Sequence, residues 1–143
     1  MATTAAITIS SDIGMGASVS KSMTLTKAGA LTDIEETTGF SRRKLAATTA
    51  VDLITMANEL VEPSDNTAAK VYIQNIGDGK GTIDKSTYVT VSIGDTGGTT
   101  QQVGRLYGGD WLMMPVTVVD DMDVVVAPST NDAVVLEYTM FYE

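Results

Sequence analysis

The stretch from Tyr88 to Ile93 limits what this chain can fold into more than any other. Aliphatic residues occupy every second position, and polar or aromatic residues fill the positions between them. A period of two places the two sets on opposite faces of an extended strand, with one face buried. The buried set is Val89, Val91 and Ile93, and the other set is Tyr88, Thr90 and Ser92. We therefore predict a half-buried β-strand here.

Similar alternation recurs along the chain and predicts an all-β fold. Turns rich in Gly, Pro, Asn and Asp separate the alternating runs, as those residues favour turn conformations. At least eight short strands with turn signals about every 8 to 12 residues indicate a β-sandwich or barrel. Besides residues 88–93, strands are predicted at 4–10, 19–26, 69–76, 100–107, 111–119, 124–126 and 133–142.

Two regions leave alternatives open. Residues 28–40 fit a loop or a short edge strand. Residues 41–62 carry side chains at helical spacing, but many of them are β-branched and therefore stiff in a helix. For 41–62 we favour two strand segments followed by a helical turn near residues 57–60.

Two of the strands have features that predict their position in a sheet. Pro115 cannot donate to a strand ladder, so the strand at 111–119 is bulged there or lies at a sheet edge. The run at 133–142 carries large side chains on both faces, so that strand is central or covered on both sides.

Size and composition exclude several classes of function. The 143 residues are enough for one domain, which we assign to residues 1–143. A net charge of −9 repels phosphate, so we expect no nucleic-acid partner. The absence of His and Cys excludes a Ser-His-Asp triad, a cysteine nucleophile and a thiolate metal site within one chain. No apolar run approaches the ~20 residues that span a bilayer, and no signal peptide is recognised, so no membrane partner is expected.

Three arrangements that could carry chemistry are predicted not to form a site. The glycine-rich run 77–82 lacks the glycine and the Ser/Thr that a phosphate loop needs around its lysine. Asp120, Asp121 and Asp123 are interpreted as a solvated turn in preference to a calcium site. A hydrolase using two carboxylates is a minor alternative. We therefore predict that the chain is not an enzyme and has no catalytic, cofactor-binding or metal-binding residue.

One basic cluster and one tryptophan are the remaining candidates. Arg42, Arg43 and Lys44 are either a solvated guard of an edge strand or a docking contact for an acidic neighbour. Trp111 is predicted to be a core anchor between two sheets, because it lies within a strand pattern. The alternative is a ligand surface that Trp111 shares with Tyr72, Tyr88 and Tyr107.

The second half of the chain has a characteristic order of strands and turns over roughly residues 69–142. Its segments are Lys70–Gly77, Tyr88–Gly94, Leu106–Pro115 and Val135–Tyr142, with a Gly-Asp-Trp turn and a terminal Leu-Glu-Tyr strand. This pattern resembles the small virion structural proteins of tailed bacteriophages. The resemblance implies a jelly-roll-like β-sandwich that decorates or cements the capsid, or forms part of the neck or tail, without catalytic residues.

The resemblance also implies partners and a location. We expect a capsid decoration protein on the virion surface, in contact with the major capsid protein or other virion proteins. Residues 1–15 would form an N-terminal arm or strand able to add to a neighbouring subunit, and a homotrimer is the expected assembly. The alternative is a receptor-binding or carbohydrate-binding β-sandwich module at a tail tip.

Overall fold

The computed structural model describes residues 4–9, 19–24, 36–56 and 68–142. The elements that lie wholly within these ranges are all strands, and no helix among the described residues is long and apolar enough to cross a membrane. The strands are β1 (Thr4–Ile9), β2 (Val19–Thr24), β3 (Glu36–Thr37), β4 (Ser41–Leu45), β5 (Val51–Ile54), β6 (Ala68–Asn75), β7 (Tyr88–Gly94), β8 (Thr100–Tyr107), β9 (Trp111–Thr117), β10 (Val124–Pro128) and β11 (Val134–Tyr142).

Nine of these strands form two antiparallel sheets. Sheet 1 has the order β4-β11-β6-β9, and the short β3 pairs with the far end of β11 on the same edge as β4. Sheet 2 has the order β5-β10-β7-β8. The remaining two strands, β1 and β2, pair with each other as a separate antiparallel ribbon.

The strand order of the two sheets is that of a jelly roll. From β4 onward the chain passes from one sheet to the other at every connection except the one between β7 and β8. Eight strands arranged in this way make two Greek keys folded over one core. The predicted all-β, jelly-roll-like sandwich is therefore confirmed.

The core lies between the two sheets and is built from the aliphatic sets that alternation predicts. Both sheets contribute to it, and its members carry little or no exposed surface. The predicted buried set of β7 is confirmed, since Val89 and Val91 are fully buried and Ile93 packs against them. The buried core residues are Leu45, Leu53, Ile54, Met56, Ala69, Val71, Ile73, Val89, Val91, Leu106, Val118, Val124, Val126, Val134, Leu136 and Met140.

A buried asparagine links the two sheets. Asn75, at the end of β6, is 1% exposed and donates from Nδ2 to the Leu106 carbonyl in sheet 2 at 3.0 Å. Its Oδ1 accepts from the Gly77 amide at 3.0 Å. Its backbone pairs with the Gly109–Asp110 turn, because the Asn75 amide donates to the Asp110 carbonyl and the Gly109 amide to the Asn75 carbonyl. One side chain therefore fixes the end of sheet 1, the following turn and the adjacent strand of sheet 2.

The open regions are resolved in favour of strands. Residues 41–56 contain β4 and β5, and the expected helical turn near 57–60 lies outside the described residues. Within 28–40 the described part holds the short edge strand β3. β9, which contains Pro115, is an edge strand, and β11 is central between β4 and β6, as the sequence predicts.

Within the predicted N-terminal arm or strand at residues 1–15, the described residues 4–9 form the strand β1. β1 pairs along its whole length with β2, from Thr4 opposite Thr24 to Ile9 opposite Val19. The strand predicted at 4–10 is thus present, and residues 10–15 lie outside the described part. Residues 4–7 lie over the outer face of sheet 1, where they form one wall of a cleft.

Candidate functional site

The outer face of sheet 1 carries a group of large apolar side chains that the core does not use. The alternation that sends Val71 and Ile73 inward turns Tyr72 outward on β6, and β9 and β11 show the same pattern. Five side chains gather there, and we call them the aromatic face. They are Phe40, Tyr72, Trp111, Met113 and Phe141.

Three rings of the aromatic face form a row across the sheet. The Phe40 and Tyr72 rings meet edge to face, with centroids 6.0 Å apart and an interplanar angle of 78°. The Tyr72 and Trp111 rings are 6.3 Å apart and inclined at 30°. Strand register explains the second contact, because Trp111 lies opposite Gln74 and next to the Tyr72–Met113 pair. Aromatic pairs at these separations hold each other's orientation.

Trp111 is not the core anchor that the sequence predicts. Its side chain is 47% exposed. On β9 the inward positions belong to Leu112, Met114 and Val116, which pack against the core. Trp111 has the opposite parity and therefore turns outward with Met113. The alternative of an aromatic surface is closer to the structure, although only Tyr72 of the predicted partners joins Trp111.

The other two predicted partners lie on sheet 2. Tyr88 and Tyr107 face each other across β7 and β8, with ring centroids 5.3 Å apart. The guanidinium of Arg105 lies over the Tyr88 ring, 4.5 Å from its centroid. The four aromatic residues that the sequence groups together are therefore divided between the two sheets.

A cleft separates the aromatic face from β1. Its volume is about 450 Å³, and residues 4–7 of β1 line it opposite the five side chains of the aromatic face and Gln74. This volume lies within the range of about 300 to 1,000 Å³ that is typical of small-molecule sites. Phe40, at 68% exposure, lies at the solvent side of this arrangement.

Polar groups within the aromatic face are few and already ordered. The Tyr72 hydroxyl donates to Gln74 Oε1 at 2.9 Å. Burial raises the pKa of the Tyr72 phenol above its usual value, and the Glu137 carboxylate raises it further. Tyr72 therefore stays a neutral hydrogen-bond donor at physiological pH.

The basic cluster is split by strand alternation. Arg42 and Lys44 are exposed, and Arg42 Nε donates to Glu137 Oε2 at 2.8 Å on the outer side of sheet 1. Arg43 has the opposite parity, is only half-exposed, and donates from Nη1 to the Asp52 carbonyl of β5. Arg43 thus ties the edge of sheet 1 to sheet 2, and only Arg42 and Lys44 remain for an external contact.

The exposed pair belongs to a basic border on the aromatic face. Lys70 shares the outward parity of Tyr72 on β6, so three of the nine basic residues lie along one face. The chain as a whole has a net charge of −9. Among the residues that the structure describes, the outer face of sheet 1 thus groups three basic side chains, one of which pairs with Glu137.

The aspartates of the β9–β10 turn do not converge on one point. Asp120 and Asp121 are exposed, and Asp121 has a φ of 66°, which confirms the predicted turn. Asp123 differs from the prediction of a solvated turn residue, because it is 9% exposed and accepts from the Met56 amide at 2.8 Å. Among the residues that the structure describes, no group of three or more acidic side chains is arranged to hold a metal ion.

A second acidic group consists of Asp52 in β5, Asp95 in the β7–β8 loop and Asp123 just before β10. Asp52 accepts from the Thr96 hydroxyl, and Asp95 accepts from the Gly97 amide at 2.8 Å. Burial raises the pKa of Asp52, and the carboxylates of Asp123 and Asp95 raise it further, while Arg43 opposes them. Asp52 and Asp95 hold loop residues through these hydrogen bonds, and the carboxylates of Asp123 and Asp95 repel that of Asp52.

Sequence reasoning missed most of the aromatic face. Phe40 lies between two short strands, where no alternation marks its direction, and the sequence predicts Met113 and Phe141 only as strand residues. The available signal was that β9 and β11 carry bulk at both parities. Such strands have a second large apolar surface besides the core.

Comparisons with known proteins give a distant structural likeness and no sequence relative. The sequence matches no protein-family model and no curated protein. Among solved structures, the chain is similar to one from the Bacillus endospore appendages, a family of disulfide-linked pili. The TM-score is 0.42 and the sequence identity is 20%, over 79% of this chain and 93% of that one. A likeness at this level does not bear on function.

Proposed function

We propose that the chain is a structural protein of a tailed-bacteriophage virion, a capsid decoration or cement protein that attaches through its aromatic face. The observation that carries this proposal is the row of Phe40, Tyr72 and Trp111 on the outer side of sheet 1, where Phe40 is 68% and Trp111 47% exposed. The choice of family is supported by the resemblance of the strand and turn pattern of residues 69–142 to the small virion structural proteins of tailed bacteriophages.

Exposing a face of this kind to water is unfavourable in free energy. Contiguous exposed apolar side chains on a soluble domain mark contact surfaces, whereas single ones need no explanation. Trp, Tyr and Arg dominate the energetics of protein interfaces, and aromatic residues and Met are enriched there. All of these residue types occur together on the outer face of sheet 1. A rigid sheet also presents them without further ordering.

The charges indicate the kind of partner. Arg42, Lys44 and Lys70 border the aromatic face and complement an acidic rim on a neighbouring protein. The proposed partner is the major capsid protein or another virion protein, and the proposed location is the capsid surface, with the neck or tail as the variant of the same role. On the shell, three copies grouped as a homotrimer around a threefold axis would present three such faces to the capsid, an arrangement of attached subunits that is distinct from the oligomeric state of the free chain.

The experiment adds the purified chain to phage capsids that have been stripped of it and measures cosedimentation. We expect wild-type protein to bind, and Trp111→Ala to bind about 30-fold or more weakly, as hot-spot truncations do. Tyr107→Ala is the matched control, because Tyr107 is an exposed aromatic residue on the outer side of sheet 2. Equal binding by the two variants would show that the chain does not attach through the aromatic face. Absence of binding by the wild-type protein would contradict the capsid role.

A second candidate, carbohydrate or receptor binding, is favoured by one observation. The cleft of about 450 Å³ between β1 and the aromatic face has the size and the aromatic lining of a small-ligand site. A glycan array tests it. Reproducible binding that Trp111→Ala removes and Tyr107→Ala retains would favour this candidate over the structural one.

A further inference from the structure

The four sheet edges are not equally protected against pairing with another strand. The β9 edge carries Pro115, and the β3–β4 edge is interrupted at residues 38–40 and lined by basic side chains. β5 is only four residues long and has a register shift against β10. Prolines, charges, bulges and short length are the usual means of protecting an edge. The fourth edge, formed by β8, has little of this protection.

β8 is long, exposed and nearly uncharged. It has eight residues with no proline, and Arg105 is its single charge. Most of its side chains are exposed, including Val103 at 48%, and the part of the chain that the structure describes pairs only β7 with it. A register shift near Val103 is its only protective feature. Such an edge is a template for adding a strand.

Hydrogen bonds identify the backbone groups that point away from β7. The Tyr107 amide donates to Asp110 Oδ2 at 3.0 Å, and the Tyr107 carbonyl accepts from the Asp110 amide at 2.9 Å. Residues of an antiparallel strand alternate between facing the neighbour and facing away. Arg105, two positions earlier, therefore also turns its amide and carbonyl outward, where Asp110 does not reach.

A second outward residue lies beyond the register shift. The Gly94 amide donates to the Asp123 carbonyl next to β10. The backbone groups of Ser92, two residues earlier, therefore also point towards β10. Gln102 lies opposite Ser92 in the register. Since Ser92 does not face β8, its opposite residue Gln102 does not face β7. The free edge of β8 thus offers the backbone groups of Gln102 and Arg105.

These two residues suit each other across a twofold axis. If a second β8 lies antiparallel with Gln102 opposite Arg105 of the second copy, outward groups meet outward groups and the pair occurs twice. The amide oxygen of Gln102 can accept from the guanidinium, and the single charge of the strand does not face itself. The stack of Arg105 on Tyr88, at 4.5 Å, already limits the freedom of that side chain.

We infer that β8 is a self-association edge, at which two copies of this chain pair β8 to β8. The two four-stranded sheets 2 then become one continuous antiparallel sheet. This contact is separate from the aromatic face, so it holds or fails independently of the capsid role. It buries Val103 and satisfies the free backbone groups of the edge.

The test compares two substitutions at one position in the full chain. Arg105→Ala removes the charge and the stack but keeps the amide, whereas Arg105→Pro also removes the outward amide without removing a bond to β7. By sedimentation equilibrium we expect a wild-type dimer, weakened by about 2- to 30-fold in Arg105→Ala through the two lost side-chain pairs. A further loss of about tenfold or more is expected in Arg105→Pro, since each missing hydrogen bond counts twice.

A second pair of substitutions does not alter the backbone. Gln102→Glu places a carboxylate opposite each Arg105 and is expected to tighten the dimer, while Gln102→Arg opposes like charges and is expected to weaken it, each by about 2- to 30-fold. Circular dichroism checks that all variants are folded. A wild-type chain that is monomeric at every soluble concentration would overturn the inference. So would equal dimerisation by the two Gln102 variants, which would show that another surface forms the dimer.

Discussion

The two outer faces of the sandwich have different characters although they cover one shared core. On sheet 2 the middle of the outer face carries small side chains, Thr90, Ser92, Val125 and Ala127, of which Ser92 and Val125 are buried. Its two tyrosines pack against each other. On sheet 1 the corresponding positions hold the aromatic face, which spans three strands and the loop before β4.

The difference between the two outer faces distinguishes side chains that the fold requires from side chains that serve a contact surface. A sandwich needs one buried face per sheet, and sheet 2 shows that the other face can be built from small side chains. The aromatic face of sheet 1 is thus not required by the fold. We propose that a partner accounts for its large exposed side chains and basic border, and the predictions below test that division.

The largest effect is expected in the layer that both faces share. Leu136 in β11 is fully buried between the sheets. Leu136→Ala should reduce the free energy of unfolding by about 2 to 5 kcal/mol, because it removes a buried side chain and leaves a cavity. Urea denaturation measures this loss. A change below 1 kcal/mol on the same scale would mean that the core is not where we place it.

A smaller effect is expected on the aromatic face. Trp111→Ala should lower the free energy of unfolding by only about 1 kcal/mol, since the ring is half-exposed and its main contact is the Tyr72 ring. The comparison with Leu136→Ala in the same denaturation series is the control. A loss as large as that of Leu136→Ala would return Trp111 to a core role and would end the contrast between the two faces.

The basic border is expected to matter still less for stability. Arg42→Ala removes an exposed ion pair with Glu137, whose side chains are 68% and 22% exposed, so the cost should be about 0.2 to 1 kcal/mol. Lys44→Ala serves as the control, because Lys44 is exposed on the same strand. If Arg42→Ala destabilised the fold strongly, that border would be structural rather than available to a partner.

The last effect is a change in pH dependence at the other sheet. The folded pKa of Asp52 is raised above its ordinary value of 3.8, mainly by burial and then by Asp123 and Asp95. The folded state therefore holds this proton more tightly than the unfolded state. The stability that this bound proton contributes is fully present below the ordinary pKa of 3.8. It is lost as pH rises through the raised pKa of the folded state.

Asp52→Asn should remove that loss, since the amide cannot ionise and its oxygen can still accept from Thr96. We expect the variant to gain stability relative to wild type as pH rises above about 4, with the difference levelling off towards neutrality. Thermal melts across the acidic range measure it, and the exposed carboxylate variant Asp132→Asn is the control. A variant that is less stable than wild type at neutral pH would refute this account of the acidic group.

Much of the fold could be predicted from the sequence because alternation is a local property. The strands at β6, β7, β8 and β11 follow from their own residues, and the edge position of β9 follows from Pro115. The links made by Asn75 and Arg43 could not be predicted, since their partners Leu106 and Asp52 lie in another sheet.

The candidate site was harder to predict, for a physical reason. Alternation divides a strand into two sets but does not say which set is inside when both are bulky. On β9 Trp111 and Met113 form one set and Leu112 and Met114 the other, and tryptophan by itself favours neither face. Only the pairing of β9 with β6, which places Trp111 beside Tyr72, decides the matter.

The most direct test of the aromatic face as a contact surface is an electron cryomicroscopy map of an assembled particle in which this chain is located. We predict that Phe40 and Trp111 lie buried against a neighbouring protein, while Thr90 and Ala127 of sheet 2 face solvent. A map in which Phe40 and Trp111 face solvent and sheet 2 makes the contact would contradict the account.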